Sequence, residues 1–255
     1  MLNSIQIEFL KIKRKYVILA ALCTAFMPPL INVIYTYNLP KNSMINNSFL
    51  DFFQSSFSFT EWILLPCIFC AFESFIYYME AENRTLKELM MIPVNKTVFL
   101  LTKLVMLILF SILFMLFTTT CTVIGALPFH YTDMSTALIL KLFHISLETG
   151  LLTSLSMQPI LLLVIVSQMS YILPICVTLI YAFSGVTFAS QLAGIHPLAS
   201  IYGIVWSKSL PNLSTNKSLA IYVFNIAMIF ILSFAASVFL MKKKTYLGNC
   251  ETASE

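Results

Sequence analysis

The stretch Val98–Ile124, VFLLTKLVMLILFSILFMLFTTTCTVI, decides the fold. It carries one charge, Lys103, in a run longer than the roughly 20 apolar residues that cross a bilayer. Apolar side chains occupy every face of the helix it would form, so no side is left for water. It reads as a membrane span. Working outward, the same criterion marks Tyr16–Tyr37, Glu61–Met79, Leu138–Val166, Tyr171–Ala189 and Leu219–Met241. Pro28-Pro29 should kink the first of these, and Pro159 should break the fourth. In that fourth region, the part around 138–149 has two possible readings: part of the span or an outer interfacial helix.

Composition points the same way. Of 255 residues, 59% are hydrophobic and 10% charged, with a mean hydropathy of +0.88. Soluble domains carry about 25% charged residues, so a water-soluble enzyme is excluded. The six glycines form neither a GxGxxG nor a GxxxxGK[ST] loop, and the chain has no nucleotide cradle of its own. Cys67 and Cys70 form a CxxC inside apolar sequence with no further ligand nearby, which fits small hydrophobes better than a metal site. The expected fold is therefore an all-α integral membrane domain over residues 1–255 with six transmembrane helices, no catalytic centre and no metal.

Lys11, Lys13, Arg14 and Lys15 precede the first span, but that span is too long for a signal-peptide core and lacks a small residue before Cys23. It reads as uncleaved. Upstream, Leu2, Ile5, Phe9, Ile12 and Tyr16 recur at spacings of three and four, the mark of an interfacial helix over 1–15. The net charge of +4 reports topology rather than a nucleic-acid partner. Eleven Lys and Arg fall in the N-terminal arm, the Arg84–Lys103 segment and the 242–255 tail, against Lys41, Lys141, Lys208 and Lys217 elsewhere. By the positive-inside rule both termini face the cytoplasm.

Between spans two and three lies Glu80-Ala-Glu82-Asn83-Arg84-Thr85-Leu86-Lys87-Glu88-Leu89-Met90-Met91-Ile92-Pro93-Val94-Asn95-Lys96, the charge-dense stretch of the interior. Leu86, Leu89, Met90 and Pro93 fall on one helical stripe, and Glu80 and Glu82 precede it where a helix dipole favours anions. A short amphipathic helix at the cytoplasmic end of two spans suits a groove on a soluble partner. A polar loop that merely returns the chain is the plainer reading.

This segment resembles the cytoplasmic motif of ABC-2 type transporter permeases, E-x-E-x-G-T-x-K-x-L-L-x-x-P-V-S-R followed by an aromatic and a lysine. The match runs through Glu80, Glu82, Thr85, Lys87, Leu89, Pro93, Val94, Phe99 and Lys103; it departs at Arg84, where Gly is usual, and at Asn95-Lys96. The basic N-terminal helix, the spans, an outer segment around His196-Pro197 and the basic tail fit the same outline. In size and outline the chain is similar to permeases of lantibiotic or bacteriocin immunity and of bacitracin export. The resemblance implies a bacterial cytoplasmic membrane protein without enzyme activity. A separate cytosolic ATPase would carry ATP and Mg, and a second permease chain, identical or different, would complete the core. The substrate would be a peptide antibiotic, and the segment including Asn83, Leu86 and Met90 would couple to the ATPase. A lipid-like or small hydrophobic substrate is the alternative within the family.

Charged and polar residues in spans are costly and are candidates for function. Glu73 near the cytoplasmic end of span two is either an interhelical hydrogen-bonding group or a gate. His144 and Glu148, spaced i, i+4 with Lys141 a turn before, form either a pair or an outer patch for a cationic peptide. The same His-x-x-x-Glu spacing raises an intramembrane metallopeptidase, but no HExxH is present and His130 and His196 lie near the expected outer ends of the spans. A channel-like protein working without an ATPase is the remaining class.

Overall fold

In the computed structural model the described residues are 6, 9–10, 17–39, 48–82, 96–167, 172–207 and 218–252. Apart from an isolated bridge between Ala193 and His196, every element among them is helical. Helix α1 spans Val17–Asn38, α2 Phe49–Phe59, and α3 Leu65–Glu82, with a π-helical turn at Thr60–Leu64 joining the last two. Then come α4 (Lys96–Ala126), α5 (Thr136–Ser156), α6 (Gln158–Ser167), α7 (Ile172–Thr187), α8 (Ala189–Leu192), α9 (Pro197–Ser207) and α10 (Leu219–Thr252). Among the described residues, five stretches are long and apolar enough to cross a membrane: Leu19–Asn38, Phe49–Tyr77, Thr97–Phe129, Thr136–Ile165 and Leu219–Met241. The segment read as the fifth of six spans holds α7, which at 16 residues is shorter than a full crossing.

The second helix departs most from expectation. It starts at Phe49 rather than Glu61, and from there to Glu82 the helical run is unbroken, about 50 Å at 1.5 Å per residue. The start is fixed locally and at long range. The Ser48 hydroxyl accepts the Asp51 N–H at 3.1 Å, and both carboxylate oxygens of Asp133 accept the Phe49 N–H at 3.1 and 3.0 Å. Phe49, Phe52, Phe53 and Phe57 form one buried stripe, with the Phe52 ring 5.7 Å from Phe129 and 5.9 Å from Tyr131. The interleaved Asp51, Gln54, Ser55 and Ser58 lower the hydropathy of this region, so a hydropathy reading starts the span later, at Glu61.

The fourth region forms two helices. Met157 leaves the helical basin at φ −87, ψ 1, two residues before Pro159, whose ring blocks the carbonyl four residues back. Residues 138–149 belong to the same continuous helix as Ser156, and their Leu142, Ile145, Ser146 and Thr149 are buried. That face meets α4 in the most extensive helix pairing among the described residues. At Gly150 a Cβ atom would come within 3.1 Å of both the Ile112 Cα and the Ser111 carbonyl oxygen. Close backbone approach at small residues is how helices associate where lipid removes the hydrophobic drive. Buried hydroxyls stitch the contact, Ser111 donating to the Gly150 carbonyl and Thr119 meeting Ser146, while Ser56 of α2 meets Thr122 of α4 at 3.4 Å.

Two apolar clusters fill the interior. One gathers the α2 phenylalanines with Phe114, Met115, Leu142, Ile201 and Tyr222; the other gathers Phe69, Phe72, Leu100, Leu107, Met157 and Ile160. In the second cluster Phe72 stacks on Phe110 at 3.8 Å. Helix α9, absent from the sequence reading, is too short to cross and buries Ala199, Ser200, Ile201, Ile204 and Val205. Along α10, Phe224, Ile231, Leu232 and Phe239 are each about 60% exposed or more. Water would not tolerate such a face, and acyl chains match it.

Candidate functional site

The polar residues named from the sequence fall into three places. Helix α3 ends at Glu82 and α4 begins at Lys96, and the two helices pack together, so the segment between them joins neighbouring helix ends. Glu80 and Glu82 lie in the last turn of α3. Asn83, Thr85, Leu86, Lys87, Leu89, Met90 and Pro93 lie outside the described residues, as does most of the proposed interfacial helix over 1–15. Lys103, counted above with the cytoplasmic charges, sits two turns inside α4, is 1% exposed, and holds its ammonium 5.3 Å from the Phe99 ring centroid.

Glu73 is fully enclosed in α3, and neither carboxylate oxygen has a hydrogen-bond partner. It sits among Cys70, Phe72 and Ile76 of the second cluster, away from the residues at the other end of the bundle. On α5, Lys141 and His144 are exposed and Glu148 is half-buried. The structure does not bring Glu73 together with the His144–Glu148 pair in one site. Among the described residues no three His, Cys, Asp or Glu side chains gather as a metal ion would require.

A cleft unmarked in the sequence reading lies between these places. The π-helical turn after α2 presents Glu61, 4% exposed, and Trp62. Opposite them are Thr153 of α5, Ala182, Gly185 and Val186 of α7, Ala189 of α8, and Leu198, Ile201 and Tyr202 of α9, around a cavity of about 10 Å³, room for one water-sized sphere. The Trp62 and Tyr202 rings meet edge-on at 5.0 Å. Thr153 is fully buried, and its hydroxyl has no hydrogen-bond partner. Glu61 lies about 18 Å along the helix from Phe49. Hydropathy alone puts Glu61 at the start of a span, whereas in the structure it stands twelve positions into the helix and is buried. The signal was present in the Phe49–Phe57 stripe that precedes it.

A polar knot holds one wall of the cleft. Gly194, at φ 84, turns the chain between α8 and α9, a backbone geometry that favours glycine. Asn225 of α10 donates to the carbonyls of Gly194 (3.1 Å) and Ile195 (2.8 Å), and Ser200 donates to the His196 carbonyl at 2.9 Å. The His196 ring lies 4.4 Å from Tyr181 and meets Ser184 at 3.3 Å; burial lowers its pKa below the ordinary histidine value. Gly185 must stay bare, because a Cβ there would reach the His196 ring at 2.9 Å.

No curated protein and no solved structure matches the chain. A family model does match, over residues 4–185 and thus over well more than half of the chain; its description is ABC-2 family transporter protein.

Proposed function

The chain belongs to the ABC-2 transporter family, and from that premise we propose that it drives a peptide antibiotic out of the bacterial envelope in a self-protection or resistance system. Membership makes it a multi-pass permease of an ABC transporter that works with an ABC ATPase subunit. The finer reading adds six crossings, both termini in the cytoplasm, a second permease chain, and ATP with Mg bound on the ATPase alone. Movement of the ATPases on nucleotide binding reaches the spans through the segment around Glu80–Lys96. The observation that supports this route is that α3 and α4 flank the segment and pack together, so a push on it is delivered to both.

The amphipathic substrate enters from the outer leaflet and leaves to the outside, with His144 and Glu148 as contacts on the way. Deleting the gene tests the substrate class. Tolerance to one cell-envelope peptide should fall while tolerance to small hydrophobic drugs stays unchanged. Glu148→Gln should reduce the same tolerance without lowering the amount of protein in the membrane. Unchanged peptide tolerance in the deletion strain, across a panel of envelope peptides, would remove the antibiotic from the reading and leave the permease.

A further inference from the structure

We propose that Glu73 is a proton-binding site that latches α3 to its neighbours: the helices close over it with a proton bound and release that proton when they part. Both carboxyl oxygens lack a hydrogen-bond partner, and the residue is 1% exposed. Its neighbours on α3, Phe69, Cys70 and Ile76, belong to a cluster that Leu107 of α4 and Ile160 of α6 help to complete. In such surroundings an ionised carboxylate costs far more than a neutral acid, so the group takes up a proton instead. An intramembrane carboxyl kept at this cost marks function by default.

The enclosure selects the ligand. A hard metal ion needs about six oxygen ligands, and among the described residues no three acidic, histidine or cysteine side chains gather. An ammonium needs room for its head and acceptors for three donors. A proton needs neither. The hydroxyls close at hand are committed elsewhere. Thr178 of α7 donates to the Pro174 carbonyl at 2.7 Å, and Ser74 meets the Cys70 Sγ at 4.0 Å.

Helix α3 packs against α4, α5, α6, α7 and the π-helical turn. Of these, α6 carries no ionisable side chain. Lys103 of α4 holds its ammonium against the Phe99 ring, and the Tyr181 hydroxyl of α7 donates to the Ser156 carbonyl at 3.2 Å. Glu61 of the turn lies about 18 Å along the helix, and Lys141, His144 and Glu148 of α5 stand about 13 Å or more along their axis from Met157. Cys70, one turn back on α3, offers no positive charge. An ionised Glu73 therefore belongs to an arrangement that admits water, so proton release and helix separation are linked. Glu73 sits about 13 Å from the end of α3 at Glu82. A push on the segment beyond Glu82 would part the same helices, a consequence that rests on the coupling reading above; the proton site does not.

The test uses the full chain in phosphatidylcholine nanodiscs at about pH 8, where an ordinary carboxyl is ionised. The infrared difference between the parent and Glu73→Gln should contain the C=O stretch of one un-ionised carboxylic acid, which shifts in D2O. Carboxylate bands in that difference would overturn the proposal. The second readout is unfolding by SDS across pH. The folded chain holds one proton that the unfolded chain gives up above about pH 5, so the parent loses stability as pH rises. From about pH 5 to about pH 8 the ratio of its unfolding constant to that of Glu73→Gln should grow about tenfold per pH unit. A flat ratio overturns the latch. Glu73→Gln matches the neutral acid in shape and charge, so its failure to insert and fold would count against the site as well. These measurements need no ATPase, so their failure is separable from that of the coupling reading, which an ATPase pull-down with Leu86 and Leu89 replaced decides.

Discussion

Gly150→Leu tests whether backbone approach between α4 and α5 organises the bundle. A Cβ at position 150 meets the Ile112 Cα and Ser111 oxygen at 3.1 Å and the Ile112 nitrogen at 3.3 Å. All three are backbone atoms, so no rotamer change relieves the contact and α5 must withdraw. Overpacking of this kind costs about 1–3 kcal/mol. Withdrawal also breaks the bond from Ser111 to the Gly150 carbonyl, worth about 0.6–1.7 kcal/mol between membrane helices. Replacing glycine inside a helix returns about 1 kcal/mol of propensity. The net loss is about 1–4 kcal/mol. The comparison is Gly125→Ala, whose Cβ meets one side-chain atom, Val33 Cγ2 at 2.8 Å, and no backbone; Val33 is stiff in its helix, so the contact offsets part of the propensity gained and the loss should stay below that of Gly150→Leu. Both variants would be unfolded by SDS titration in mixed micelles and followed by far-UV circular dichroism. A Gly150→Leu midpoint equal to the parent's, or a Gly125→Ala loss as large as that of Gly150→Leu, refutes the close-approach argument.

Asp133→Ala should cost about 1–2 kcal/mol in the same titration, because the Phe49 N–H loses its acceptor at the start of α2. Replacing Leu86 and Leu89 together with charged residues should release the ATPase from the membrane fraction, since interface anchors commonly cost about 2 kcal/mol or more each when truncated. Pull-down at the parental yield would return that segment to an ordinary loop. A cysteine placed at Lys41 should react with an impermeant maleimide in intact cells, while Cys250 should react only after permeabilisation; the reverse pattern inverts the topology.

Much of this protein was legible in its sequence because a bilayer imposes local rules. A stretch such as Val98–Ile124 must satisfy its own backbone hydrogen bonds and offer only carbon to lipid, and both demands are met residue by residue. The all-helical membrane class was readable for that reason, and the ABC-2 family was readable from a resemblance rather than from hydropathy. Three features were not. The start of α2 depends on Asp133, 84 residues further along the chain. Helix α9 is too short to cross a membrane and is buried only because α5, α7 and α10 surround it. The cleft needs Glu61, Thr153, Gly185 and Tyr202 from four separate elements, and each alone is an unremarked polar or small residue. Sequence determined which segments lipid accepts; packing decided which polar groups those segments hold in common. Hydropathy accumulates along the chain, whereas a site arises from distances across it that no local pattern encodes.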